Sequence, residues 1–229
     1  MAKAALIVGA GEGISASFAR ALAREGFKVA IAARNPNKLA ALRDEIGGLA
    51  LRCDVTEPAE VERLFAEVDA KLGALDVVHY NPSQRAHGAL VDLDPAEVRQ
   101  ALMVTAFGGF LVAQQAARRM LRQGGGAILF TGASASVKGY ARSASFAMGK
   151  FALRGLAQSM ARELAPQNIH VAHFVIDGAV RSVRRQEPAD RPDSMLDPDA
   201  IAATYLAVLK QPRSAWTWEV ELRPWVETF

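Results

Sequence analysis

Short apolar runs of strand length alternate along this chain with segments whose apolar positions recur at helical spacing. The run "AALIVGA" (4–10) predicts a first strand. "SASFARALAREG" (15–26) predicts a helix with Phe18, Ala19, Leu22 and Ala23 on one face and Gly26 as its stop. Strands are then expected at 28–34, 49–55, 75–80, 127–133, 169–176 and 216–222. Between them fall helical patterns: 35–48 after a turn, 56–73 with Thr56 as N-cap, and 94–126 opened by Asp94 and Pro95 and closed by three glycines. Two more are a helix from about 144 to Pro166 and another over 197–210. The segment 181–194, polar and Pro-containing, breaks the alternation and reads as a mobile loop.

Strict strand–helix alternation calls for parallel strands joined by right-handed crossovers. The strands are apolar almost throughout, as a sheet covered on both sides requires. The expected fold is therefore α/β: a single doubly wound (Rossmann-type) domain over residues 1–229, a parallel sheet of about seven strands with helices on both faces. With 229 residues, about half of them hydrophobic, the chain suits one core and leaves little for a second. The formal net charge is only +3, and Lys and Arg are scattered, which argues against a nucleic-acid surface. Cys53 is the only cysteine, so neither an internal disulfide nor a Cys-rich metal site is expected, and a reducing, cytoplasmic setting is. No apolar stretch approaches the roughly 18 residues of a membrane span, and no signal segment is read at the N-terminus.

Sheets of this kind take ligands beyond the carboxyl ends of their strands. After the first strand comes "VGAGEGIS", with Gly9, Gly11 and Gly13 ahead of Ile14 and Ser15. Glycines there allow a tight turn and let backbone N–H groups approach a pyrophosphate at the helix N-terminus. After the second strand Arg34 stands where an acidic residue would bind a ribose 2′-OH. An arginine suits a 2′-phosphate, so NADP is expected in preference to NAD, with Glu12 an opposing charge. After the third comes "CDVT", where Asp54, beside Val55, either meets the adenine edge or turns the chain. After the fourth come Asn81 and Pro82, a turn in which Asn81 can face the cofactor.

These residues resemble the short-chain dehydrogenase/reductase family, and the resemblance spans nearly the whole chain. "VGAGEGIS" is similar to its T-G-x-x-x-G-x-G motif, with Val8 for Thr and Ser15 for the last Gly. "CDVT" matches its adenine-contact stretch, "YNPS" falls on N-N-A-G, and "DGAVRS" falls on P-G-x-x-x-T with Asp177 for Pro and Gly178 kept. The resemblance implies a small-molecule carbonyl or alcohol substrate, a nicotinamide cofactor and a homodimer or homotetramer paired through the long fourth and fifth helices. It also implies a tetrad of Asn, Ser, Tyr and Lys. By spacing, Lys150 matches the lysine, Phe146 stands at the tyrosine, Ala133 at the serine and Thr105 at the asparagine. One of the four is retained.

In the family the Tyr hydroxyl delivers the proton that a reduced carbonyl needs, and the Lys lowers its pKa and holds the nicotinamide ribose. Phe146 has no proton to give. Loss of a general acid typically costs about 10²–10⁴-fold. Cofactor binding through Gly9, Gly11, Gly13, Ile14, Arg34, Asp54, Val55, Asn81, Lys150 and Gly178 should survive better than catalysis. Ser134, one residue from the vacant serine position, and Tyr140, in the loop before the catalytic helix, are the candidate substitutes. Ser143 and Ser145 flank Phe146 and should point elsewhere. His79, His170 and His173 read as strand residues of the core, His87 as loop surface. The expectation is an oxidoreductase with a non-standard proton donor; the other reading is a non-catalytic nucleotide sensor or partner subunit on the same scaffold. A serine hydrolase built on "GASAS" is disfavoured because the elbow's last glycine is Ser136 and no histidine follows Asp177.

Overall fold

Alternation along each strand divides the interior in two. On the first strand, Ala4, Leu6 and Val8 face one apolar cluster while Ala5 and Ile7 face another. Side chains on successive strand residues point to opposite faces, so a continuous apolar run fits only a sheet covered on both. The computed structural model describes residues 3–228 and shows that arrangement. Seven strands, β1 (Ala4–Val8), β2 (Lys28–Ala33), β3 (Leu49–Arg52), β4 (Val77–Tyr80), β5 (Gly126–Thr131), β6 (Ile169–Ile176) and β7 (Glu219–Leu222), form one sheet in the order β3-β2-β1-β4-β5-β6-β7. Every pairing is parallel.

Helices α1 (Ile14–Arg24), α2 (Ala40–Ile46) and α7 (Pro198–Leu209) cover one face, through Phe18, Leu22, Leu42, Ile201 and Tyr205. The other face is covered by α3 (Pro58–Leu72), α5 (Gly108–Gln123) and α6 (Ala144–Leu164), through Phe65, Val112, Met120 and Leu153. Each such side chain contributes on the order of 1.5–3 kcal/mol relative to exposure, so a one-residue slip of any strand, which would swap its faces, is heavily disfavoured.

Several boundaries differ from the sequence reading, each for a local reason. β1 ends at Val8 because Gly9 turns into the left-handed region at φ 78°. The N-cap of α3 is Glu57, not Thr56, with Pro58 at the first helical position. Thr56 is engaged instead with Asp54, whose Oδ1 accepts from both its N–H and its hydroxyl. The long helical pattern from Asp94 is broken in register. α4 (Pro95–Leu102), capped by Asp94 Oδ1 on the Ala96 N–H, passes through a π-helical turn (Met103–Phe107) before α5 begins.

The continuous helical stretch Pro95–Gln123 is long and apolar enough, by length and composition alone, to cross a membrane, its most apolar 18 residues having a mean hydropathy of 1.2. Its apolarity has a use inside the protein: Val112, Ala113, Ala116 and Met120 form the face packed on the sheet.

The sheet order reverses between β1 and β4, whose carboxyl ends lie side by side, and the Asn81 N–H continues their ladder to the Val8 carbonyl. That junction is the switch point at which such sheets open a ligand crevice.

Beneath it is a buried polar group. His79 Nε2 meets Thr131 Oγ1 at 2.7 Å, and Thr131 Oγ1 meets the Tyr205 hydroxyl at 2.9 Å. Phe18, His79 and Tyr205 pack edge to face around it. His79 and Tyr205 are core residues, as their strand and helix positions imply, and His170 and His173 of β6 are buried as well.

Candidate active site

A crevice of about 380 Å³ opens at the switch point, lined by Gly9, Ala10, Arg34, Asp54, Val55, Asn81 and Gln84 among others. The turn that forms its floor depends on Gly9. A Cβ there would lie 2.6 Å from the Pro82 ring, and φ 78° already disfavours any side chain. The backbone thus passes close to a neighbouring loop that a bulkier residue would displace. At the start of α1, the N-cap Gly13 offers no side-chain acceptor to the first-turn N–H groups, which are free to meet an anion. Ser15 does not compete, since its hydroxyl donates to the Gly9 carbonyl at 3.2 Å. A crevice with a tight glycine floor, beside a helix N-terminus with open donors, suits a dinucleotide.

Of the sequence candidates, Gly9, Arg34, Asp54, Val55 and Asn81 line this one crevice. Arg34 is exposed at its rim. Glu12 and Gly13 line a separate cleft with Arg181, Ser182 and Gln186 of the polar loop, so Glu12 does not share Arg34's crevice. Gly11 stands clear of neighbours, and Ile14 is half-buried at the helix start. Gly178 follows β6 at φ 145°, with a Cβ position 2.7 Å from Pro224. Asp177, in place of the proline before it, is buried between Lys138 Nζ and the Arg223 guanidinium, each 3.1 Å away. It ties the loop after β5 to the end of the sheet.

Lys150 and Phe146 sit one turn apart on α6, both buried. Lys150 Nζ donates to the Thr131 carbonyl at the end of β5, at 2.7 Å. Burial, then the charge of Arg85, pulls its pKa down to about 7. Thr105 lies in the π-helical turn with its hydroxyl on Gln84, accepting from the N–H at 3.1 Å and donating to the carbonyl at 3.4 Å. Ser145 makes the same two-sided grip on Ala86, at 2.9 and 3.0 Å. Tyr140 is exposed on the loop before α6, and Ser134 is half-buried at the start of a 3-10 turn.

Two features escaped the sequence. The first is Arg85, whose guanidinium carbon lies 3.9 Å from the centroid of the Phe146 ring. No periodicity marks it; only the loop bracketed by Thr105 and Ser145 brings it there. The second is a line of three side chains. Ser136 Oγ lies 3.3 Å from His173 Nε2, and His173 Nδ1 lies 3.0 Å from Glu219 Oε2. Chain order argued against such a line, yet residues far apart in sequence meet across β6 and β7.

It is not a nucleophile site. Ser136 and His173 are fully buried, and Ser136 Oγ also accepts the Ala133 N–H at 3.1 Å. The line holds the backbone at Ala133. Burial pushes His173 down to about 4, against the pull of Glu219. Burial would raise Glu219, but the paired Arg154 bonds at 2.6 and 2.7 Å and His173 leave it below the usual carboxylate value. A separate cavity of about 230 Å³ lies by His170 and Trp216 near the amino ends of β6 and β7, away from these groups.

The chain matches the short chain dehydrogenase family over residues 3–191. It belongs to that family. A carbonyl reductase family member 4 from Xenopus tropicalis is 29% identical over 223 residues, covering 93% of each chain. A short-chain dehydrogenase structure from Rhodopseudomonas palustris is 38% identical at a TM-score of 0.84, covering 97% of this chain and 99% of the other. An alcohol dehydrogenase from Thermococcus sibiricus, complexed with 5-hydroxy-NADP, is 26% identical at 0.86, covering 99% and 98%. This short-chain dehydrogenase is thus an oxidoreductase scaffold of the same single-domain form.

Of the three buried histidines, His79 and His173 are the ones shifted far enough to set the pH dependence of stability, with His170 lowered by burial in the same direction. Burial lowers His79 to about 3 and His173 to about 4, both below the unfolded value near 6.5. As pH falls below 6.5 the unfolded chain takes up protons that the folded one refuses, so stability is lost on acidification. The loss is about 2 kcal/mol per histidine at pH 5. Denaturant unfolding at pH 7.5 and pH 5 should show this drop, and His173→Gln should remove about half of it.

Proposed function

We propose that this protein transfers hydride between NADP(H) and a small carbonyl or alcohol substrate, using a proton source other than the tyrosine hydroxyl. The observation that carries the reading is Lys150: a buried side chain whose Nζ is held by the Thr131 carbonyl at the carboxyl end of β5, with no carboxylate paired to it among the described residues. A bound nicotinamide dinucleotide supplies the hydride. Gly9, Gly13, Ile14, Asp54, Val55 and Asn81 would hold its adenosine and pyrophosphate portions, and Arg34 a 2′-phosphate. Structures of relatives complexed with 5-hydroxy-NADP and with NADP support the nucleotide.

At the substrate end, Phe146 supplies an apolar wall and excludes water. Lys150 Nζ holds an exchangeable proton, and with its pKa near 7 it can release it at neutral pH. Ala133 leaves the family's serine position without a donor, so the developing alkoxide has fewer hydrogen bonds than usual. Turnover is accordingly slow. Exposed Phe107, Phe110, Met148 and Phe151 on the π-helical turn, α5 and α6 support pairing of copies through these helices. Buried Cys53, its thiol pushed up to about 12 by burial, is consistent with a reducing compartment and takes no part.

The second reading, a nucleotide-binding subunit without turnover, is favoured by the missing hydroxyls at 146 and 133. Binding and activity separate the two. NADPH should bind more tightly than NADH in calorimetric titration, and Arg34→Asp should reverse the preference by at least about tenfold; binding of neither removes both readings. In assays of carbonyl reduction followed at the nicotinamide absorbance, the rate should fall as pH rises through about 7, because Lys150 must be protonated to donate. A flat profile removes Lys150 from that role, and absence of any turnover supports the second reading. Phe146→Tyr should raise the rate less than about tenfold while Ala133 and Thr105 stay unrepaired.

A further inference from the structure

Arg85 is an unusual neighbour for the position of a lost proton donor. Its guanidinium lies over the face of Phe146 at 3.9 Å, within cation–π distance. A stacked guanidinium spends its face on the ring and keeps its N–H donors pointing outward in the plane. Among the described residues none of those donors meets a protein acceptor, and no carboxylate pairs with the group. The charges acting on it are cationic: Arg185 of the polar loop lowers its pKa further after burial has done so, and Arg85 in turn lowers that of Lys150.

The loop is built to hold it there. Thr105 grips both backbone groups of Gln84, and Ser145 grips both of Ala86, so the residues on either side of Arg85 are fixed by buried hydroxyls. Thr105 stands where the family has its asparagine, and here that position serves the loop. Two basic groups, Arg85 and Lys150, therefore lie near the Phe146 ring, at 3.9 Å and 5.9 Å from its centroid, and no carboxylate pairs with either among the described residues. Arg85 is exposed, and an anion bound beside the ring would pair with donors that no described protein group takes up and offset the repulsion between the two basic groups.

We propose that Arg85 anchors a carboxylate carried by the substrate, so that this site takes oxo acids and hydroxy acids rather than uncharged ketones and alcohols. The inference rests on the oxidoreductase reading above and names its substrate class. Bidentate recognition by the fork of Arg85 orients the acid beside Phe146, with its carbonyl toward Lys150. Arg185 adds attraction from the loop.

The shared chemistry is an anion, and the cofactor carries anions too, so the test must tell them apart. Calorimetry on the full chain saturated with NADP⁺ would use 2-oxobutanoate, 3-oxobutanoate and benzoylformate, each against its methyl ester. At least one acid should bind tenfold or more tightly than its ester. Arg85→Gln should abolish that preference with the NADP⁺ affinity unchanged, and Arg85→Lys should retain part of it, since charge stays and the fork is lost.

Equal affinity of acids and esters, binding of no acid, or an unchanged preference in Arg85→Gln would overturn the proposal. So would a loss of NADP⁺ affinity in Arg85→Gln, which would assign the group to a cofactor phosphate. Failure of wild-type protein to bind NADP(H) removes the broader function instead, and the acid-against-ester comparison repeated without NADP⁺ still reports on Arg85 alone.

Discussion

One hydrogen bond joins the two halves of this site: Lys150 Nζ on the carbonyl of Thr131. It ties α6 to the carboxyl end of β5, and it keeps a cation inside the protein at 2% exposure. A buried ammonium with no carboxylate paired to it among the described residues is costly, and the cost appears as a pKa drawn down toward neutrality. Thr131 carries a second load on its side chain, where its hydroxyl joins His79 and Tyr205 beneath the sheet. The same residue therefore fixes the lysine above and closes a polar gap below.

Around that bond the protein keeps the fold of the short-chain dehydrogenase family. The glycine turn, the open N-terminus of α1 and the crevice at the switch point are intact. The groups that would handle a substrate oxygen are not those of the family pattern. Phe146 and Ala133 bring no hydroxyl, and Thr105 turns its own toward Gln84. Polar groups are instead spent on holding backbone: Ser145 on Ala86, Ser136 on Ala133, Asp177 between Lys138 and Arg223. The Phe146 ring is left beside two basic side chains, Arg85 at 3.9 Å and Lys150 at 5.9 Å from its centroid.

The buried line of Ser136, His173 and Glu219 shows why residue types alone are a poor guide to function. Its distances are those of a nucleophile and its base, but no substrate can reach a hydroxyl with no exposed surface. With His173 neutral and Glu219 paired to Arg154, the line stiffens the strand ends that frame the site.

The chain's own pattern determined the sheet, its parallel sense and the residues at its strand ends, because burial on both faces demands continuous apolar strands and the period of each helix is visible locally. It also located Gly9, Arg34, Asp54 and Asn81, since each follows a strand directly, and it exposed the absent hydroxyls by simple spacing from Lys150. Where Thr105 and Ser145 direct their hydroxyls was decided only in three dimensions. So were the π-helical break at Met103–Phe107 and the arrival of Arg85 over Phe146. Those outcomes depend on contacts between segments 20 to 60 residues apart, and a short polar side chain near several backbone groups carries no periodic trace of which one it will choose.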